Sequence, residues 1–211
     1  GWHSLFTTGN IVNKEFAFYQ LPVELDVFDQ EAFARSGIDF YTVLTNVESG
    51  EAEYVKIYDA FEQMETLRAT SAMPFVSKMV EINGKKYLDG GIADSIPLRF
   101  CQQLGYDKII VVLTRPLDYR KTPTNPLIFN AFYRRYPKLV ERLANRYADY
   151  NRTVEDIIRL NEQGKIFVIR PSITLPIRRI EKDVHKIQAM YDLGVSDAQY
   201  VMKDLKAYLA G

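Results

Sequence analysis

The chain has 211 residues, with 27 Lys plus Arg against 27 Asp plus Glu and a hydrophobic content of 47%. That length suits one large domain with a substantial core, while the balanced charge excludes a long-range field that would draw in nucleic acid or an anionic membrane and leaves room only for local patches. The single cysteine, Cys101, excludes an internal disulfide and a multi-cysteine metal cluster and points to a reducing compartment.

The longest apolar run, Ile109-Ile110-Val111-Val112-Leu113, falls far short of the roughly 20 residues that span a bilayer. The expectation is a cytoplasmic protein, free in solution or peripheral to a membrane. The sequence opens Gly1-Trp2-His3-Ser4 with no initiator methionine, which reads as a processed product or a piece of something longer.

In chain order, Ile38 to Leu44 is rich in β-branched and aromatic residues and Glu53 to Ile57 alternates polar with apolar, so both are expected strands. The polar stretch Asn46 to Gly50 between them fits a hairpin connection. Phe61, Met64, Leu67 and Arg68 follow at helical spacing, and Pro74 stops that helix. Asn83-Gly84 lies between Met79 to Ile82 and Lys85 to Leu88, and it tolerates the positive φ angles of a two-residue hairpin turn. Asp89-Gly90-Gly91 comes next, and Pro97 suits the first turn of a helix running to about Leu104 and stopped at Gly105.

Lys108 to Thr114 is nearly continuously apolar and reads as a strand buried on both faces. A long helical region from about Leu127 to Gln163, broken near Pro137, ends at Gly164 and precedes a strand at Ile166 to Ile169. Two C-terminal helices are expected, Arg179 to Leu193 and Asp197 to Leu209, with Gly194 at the break and Ser196 with Gln199 as a capping box. No linker or repeat divides the chain, and the alternation of helix and strand is an α/β layered pattern.

Asp89 is the first candidate for chemistry. It sits where a strand hands over to two glycines, which let the backbone take otherwise forbidden angles and let a substrate approach closely. A carboxylate there can act as a general base towards a hydroxyl within hydrogen-bond reach. The plainer reading is a turn whose aspartate caps the Asp94-Ser95 backbone or the next helix.

Ala69-Thr70-Ser71-Ala72-Met73-Pro74, followed a dozen residues later by Tyr87-Leu88-Asp89-Gly90-Gly91-Ile92-Ala93-Asp94-Ser95-Ile96-Pro97, resembles the paired signature of the bacterial patatin-like phospholipase family. Thr7-Thr8-Gly9-Asn10 before an acidic, Phe-rich helix and Gly105-Tyr106-Asp107-Lys108 before Ile109 to Thr114 resemble it too, and the similarity fades after Leu117. The resemblance implies a lipid acyl hydrolase with a Ser-Asp dyad. The serine stands in a Gly-x-Ser-x-Gly elbow and the aspartate in Asp-Gly-Gly, so the general-base role carries over to Asp89.

The chain has neither that elbow nor a Gly-Gly-x-Arg-Gly-type loop whose N–H groups would stabilise an oxyanion. Asp94-Ser95 also stands where the family commonly has Asn. The resemblance further implies an α/β, three-layer patatin-like fold with a central mostly parallel or mixed sheet flanked by helices, incomplete at its N-terminus. All of 1–211 is then the C-terminal part of one domain. It implies a lipid or acyl-ester substrate, no cofactor and no nucleic acid, and as it stands the fragment is expected to be inactive. The competing reading is a non-catalytic patatin-fold module that binds a lipid or a partner.

Ser71 is the second candidate nucleophile, but Thr70 and Ala72 are not the glycines that a strained elbow needs, so a packing or capping role is favoured. His3 and His185 lie in no motif and read as surface residues. Cys101 is expected on the inner side of its helix beside Phe100 and Leu104, as a small buried hydrophobe. Phe132 to Lys138, with Arg142 and Arg146, mixes aromatics and cations and could rest on lipid headgroups. Glu141, Asp149, Glu155 and Asp156 interleave and favour a solvated helix face instead. No phosphate-cradling glycine pattern and no metal-ligand spacing is present.

Overall fold

The computed structural model describes residues 15–178 and 181–211. Gly1-Trp2-His3-Ser4, Thr7-Thr8-Gly9-Asn10 and the expected helix start at Arg179 lie outside the described residues. The chain forms two compact units, Gly1–Ile96 with Pro123–Asp149, and Pro97–Thr122 with Tyr150–Gly211.

The first unit begins with α1 (Phe16–Leu25), a wide π-type helical segment containing Pro22, and a short helix α2 (Gln30–Arg35). The two expected strands follow as β1 (Phe40–Asn46) and β2 (Ala52–Ile57), joined by the expected hairpin. Asn46 builds that turn, its Oδ1 accepting from the N–H groups of Glu48 and Ser49 at 2.9 and 3.2 Å. Gly50 closes it at φ 68°, and a Cβ there would meet the Lys138 carbonyl oxygen at 2.7 Å. Both the angle and the space therefore demand glycine.

The helix expected from residue 61 is regular only as α3 (Met64–Thr70). Its first turn is spent on Asp59, whose Oδ1 accepts from the N–H groups of Phe61 and Glu62, a local side-chain arrangement that competes with helical bonding. β3 (Val80–Ile82) and β4 (Lys85–Asp89) form the second hairpin, with Asn83 and Gly84 at φ 51° and 75°, the left-handed pair a tight turn requires.

The four strands make one sheet in the order β2-β1-β4-β3, antiparallel throughout. β1 lies between two neighbours, and Thr42, Leu44, Thr45 and Asn46 along it are all buried. Two helices bring apolar faces to the same core: α5 (Pro126–Tyr133) contributes Phe129 and Tyr133, and the first half of α6 (Pro137–Glu162) contributes Leu139, Val140 and Leu143. They cluster with Leu44, Val47, Val80, Tyr87, Leu88 and Ile92, each large apolar side chain stabilising the fold by about 2 kcal/mol on burial.

The second unit holds α4 (Leu98–Gln103), β5 (Ile110–Val112), the rest of α6, β6 (Phe167–Ile169) and α7 (Val184–Ala210). β5 and β6 pair in parallel, so antiparallel and parallel pairs both occur in this mixed α/β chain. The strand expected to be buried on both faces is not. Ile109 and Val111 are buried, but Ile110 is 41% and Val112 is 70% exposed, because one face of the two-stranded sheet is open. The Tyr208 hydroxyl, near the end of α7, accepts from the Ile109 N–H at 3.0 Å.

The two expected C-terminal helices are one. α7 runs through Gly194 and Ser196 without a break, and its cap is Asp183, whose Oδ1 accepts from the His185 N–H at 3.0 Å. A glycine costs a helix about 1 kcal/mol, too little to stop one flanked by good helix formers. Among the described residues no helix is long and apolar enough to cross a membrane.

Candidate functional site

Asp89 is the last residue of β4 and pairs with Leu44 on β1. Its backbone N–H donates to the Ala72 carbonyl at 2.9 Å, and its own carbonyl accepts from the Thr45 hydroxyl at 2.8 Å. The two halves of the sequence signature are therefore bonded to each other directly. Thr70 fixes the other side of the same junction, its hydroxyl donating to the Val43 carbonyl at 2.7 Å.

The carboxylate is half-buried, and its Oδ1 accepts from the Gly91 N–H at 2.8 Å. Among the described residues nothing donates to Oδ2. One oxygen thus orients the group while the other keeps its lone pairs for an incoming proton donor. The aspartate does cap a turn, but the turn is Gly90–Ile92 rather than the Asp94-Ser95 backbone. The N–H groups of Ala93 and Asp94 go to the Gly90 carbonyl instead, at 3.1 and 2.9 Å.

Each glycine has a separate reason to be there. A Cβ on Gly90 would lie 2.0 Å from the Val43 carbonyl oxygen, so the turn touches β1 backbone to backbone. A Cβ on Gly91 would sit 3.1 Å from Asp89 Oδ1, the oxygen its own N–H holds, and 3.4 Å from Arg146 Nη2. Glycine at 91 lets the N–H, the carboxylate and the guanidinium come together without that crowding. The Gly91 carbonyl accepts from Arg146 Nε at 2.6 Å and from the Ser95 hydroxyl at 2.7 Å, which braces the turn from α6.

Two carboxylates of this unit, Asp94 and Glu53, accept from tyrosine hydroxyls. The Tyr54 hydroxyl donates to Asp94 Oδ2 at 2.7 Å, and burial followed by this bond pushes the phenol well above its ordinary range. The Tyr87 hydroxyl donates to Glu53 Oε2 at 2.8 Å, and burial together with Glu53 pushes it up to about 12. At Glu53, burial works to raise the carboxyl. Hydrogen bonds from Asn46 and Tyr87, helped by Lys85, outweigh it and hold the group below its ordinary value.

The other sequence candidates fall elsewhere. The Ser71 hydroxyl, at the C-cap of α3, is exposed and donates back to the Leu67 carbonyl at 3.3 Å, four residues earlier, a local bond that serines commonly make. His185 is exposed in the first turn of α7, and His3 lies outside the described residues. Cys101 is half-buried rather than buried, and Leu104, expected beside it on an inner face, is 37% exposed; Leu98 is the buried residue of α4. The basic-aromatic segment splits in two. Arg142 and Arg146 turn inward, Arg142 to the Gly50 carbonyl, Glu51 and Asp149 and Arg146 to Gly91, whereas Phe132, Arg134 and Arg135 are exposed.

Thr45, Arg146 and the Tyr54–Asp94 pair are parts of the site that sequence reasoning missed. They lie 40 or more residues from their partners, and nothing in a single sequence marks such a pairing.

Residues 10–101 match the family described as patatin-like phospholipase, a match that encloses both Ala69–Pro74 and Asp89–Pro97. The resemblance read from those motifs is shown over that span, and at the family level it is to lipid hydrolases. Residues 136–210 match a second family, described as a domain of unknown function (DUF6363). The chain is also similar to the uncharacterized protein YjjU of Escherichia coli (strain K12), 30% identical over 124 residues, which is 54% of this chain and 33% of that protein. It thus spans about a third of the length of the curated relative.

Proposed function

We propose that the protein carrying this chain is a lipid acyl hydrolase of the serine esterase or phospholipase A type, with Asp89 as general base of a Ser-Asp dyad whose serine lies outside these residues. The observation that carries the reading is the Asp89 carboxylate at a strand end, with one oxygen held by the Gly91 N–H and the other without a donor among the described residues. In this mechanism Oδ2 takes the proton as the serine oxygen bonds to the ester carbonyl carbon. The alcohol leaves with a proton, giving an acyl-enzyme, and water activated by the same carboxylate then releases the fatty acid. The chain alone, without the serine, has no turnover.

In the same reading the chain is the C-terminal part of one three-layer patatin-like domain, and its substrate is an acyl ester presented in a lipid surface. The bonds from Arg142 and Arg146 to Gly50 and Gly91 support treating the start of the second matched segment together with the first.

The test is Asp89→Asn in the longest natural protein that carries this sequence and a Gly-x-Ser-x-Gly elbow, assayed on a short acyl ester. Asparagine keeps an oxygen for the Gly91 N–H, so the fold holds while the base is lost, and kcat falls by about 10²- to 10⁴-fold. Turnover close to wild type would sink the assignment. If the natural sequence lacks any such elbow, the binding-module reading takes its place.

A further inference from the structure

The helix α5 buries only one side. Phe129 and Tyr133 enter the core, but Leu127 is 72%, Ile128 46% and Phe132 67% exposed. At about 100° per residue, Leu127, Ala131, Ile128 and Phe132 fall within one arc of roughly 140°. An 8-residue helix therefore spends nearly half its circumference holding apolar side chains in water.

Phe75 extends this face. It stands at φ 70°, a left-handed conformation that costs a residue with a Cβ about 1 kcal/mol. Its N–H donates to the buried Tyr133 hydroxyl at 2.9 Å, which holds it there. The ring stacks 5.9 Å from Phe129, lies 5.1 Å edge-on to Phe132, and remains 39% exposed. The backbone thus accepts strain where a ring is displayed beside the exposed face.

Along the chain, the charge that follows the face has one sign. From Thr122 to Val140 the sequence contains no acidic residue, and Arg134, Arg135 and Lys138 follow directly on the apolar arc. All three are exposed, and none pairs with an acid among the described residues. Glu141 is the next acid along the chain.

We propose that the exposed face of α5, with Phe75 and the cations Arg134, Arg135 and Lys138, is a docking surface for an anionic lipid bilayer. Aliphatic and aromatic side chains enter the headgroup boundary while the cations stay at the phosphates, the arrangement of an interfacial helix. A second copy of the chain is a poorer occupant, because a two-fold contact through this face would bring the same unpaired cations together. Phe75 directly follows Pro74 of the segment whose Ala72 carbonyl holds Asp89, so the surface adjoins the hydrolase site proposed above. It draws its purpose from that reading, but its test is binding and needs no turnover.

The chain is sedimented with phosphatidylcholine vesicles, with and without phosphatidylglycerol. Binding to the anionic vesicles is expected, with little to the neutral ones. Phe132→Asp and the pair Arg134→Glu with Arg135→Glu each lower binding about tenfold or more, and the exposed Tyr200→Asp leaves it unchanged. Thermal unfolding by circular dichroism is run on each variant, and Phe132→Ser replaces Phe132→Asp if the latter does not fold. Absence of vesicle binding overturns the proposal, and so does binding that these substitutions leave intact. A dimer dissolved by Phe132→Asp, without vesicle binding, assigns the face to a second copy and overturns it too. A longer natural protein that carries this sequence and a Gly-x-Ser-x-Gly elbow, yet shows no esterase turnover while binding anionic vesicles, refutes the catalytic reading alone.

Discussion

The backbone N–H of Asp89 donates to the carbonyl of Ala72 across 2.9 Å. That single bond joins the helix-end segment Ala69–Pro74 to the strand-end Asp-Gly-Gly, so the spacing between the two motifs has a mechanical meaning. The loop that follows α3 sets the height at which β4 ends, and with it the position of the carboxylate.

The Gly90 position tests how tightly that junction is built. A Cβ there would overlap the Val43 carbonyl oxygen at 2.0 Å, and two paired strands cannot part cheaply. Gly90→Ala is expected to destabilise the protein by about 3 kcal/mol in urea unfolding. Gly84→Ala, where φ is 75° but the space is open, costs only about 1 kcal/mol. Equal costs at the two positions would refute the close approach at Gly90.

Ser71 offers a contrast with Asp89. Its hydroxyl is exposed and spent on the Leu67 carbonyl, so Ser71→Ala is expected to leave esterase turnover of the whole protein unchanged and its stability within about 0.5 kcal/mol. A loss of activity with the fold retained would make Ser71 a participant in catalysis.

The Tyr87–Glu53 pair should appear on both limbs of a pH–stability curve. Glu53 titrates below its ordinary 4.5 in the folded state, so its contribution is present above that value and is lost as pH falls through the lowered folded pKa. Tyr87 moves the other way, from 10.0 to about 12. Its contribution is full below pH 10 and is lost as pH rises from there through about 12. Tyr87→Phe should flatten the alkaline limb and Glu53→Gln the acid one, read as denaturant midpoints across pH. Limbs that these substitutions leave unchanged would show that other groups set the pH dependence.

At Gly194, α7 is continuous and a Cβ would meet nothing within 4 Å. Gly194→Ala should therefore raise stability by up to about 1 kcal/mol through helix propensity. If the helix really broke at that glycine, the same substitution would be neutral or harmful.

The sequence by itself was enough for the elements whose signals are local. Asn83-Gly84 specified a tight turn because only such residues tolerate two consecutive positive φ angles, and Pro126 with Asn125 opened α5 where a helix was expected. The family likeness was legible for a related reason, since Ala69–Pro74 and Asp89–Pro97 are short motifs at a fixed separation. Local signals also misled. Gly194 looked like a stop and is not, because the cost of one glycine is small beside the bonding of the whole helix.

What only the tertiary structure decided depends on residues far apart in the chain. Thr45 and Arg146 brace the Asp-Gly-Gly turn from 44 and 55 residues away, and the open face of Val112 depends on what covers a strand rather than on its own composition. The same holds for the arginines after α5. Arg134 and Arg142 are equally basic in sequence, yet one stays in solvent while the other is held by Gly50 and Glu51. A side chain's charge is written in its residue type, but whether that charge is neutralised depends on which backbone carbonyls and carboxylates the fold brings within reach.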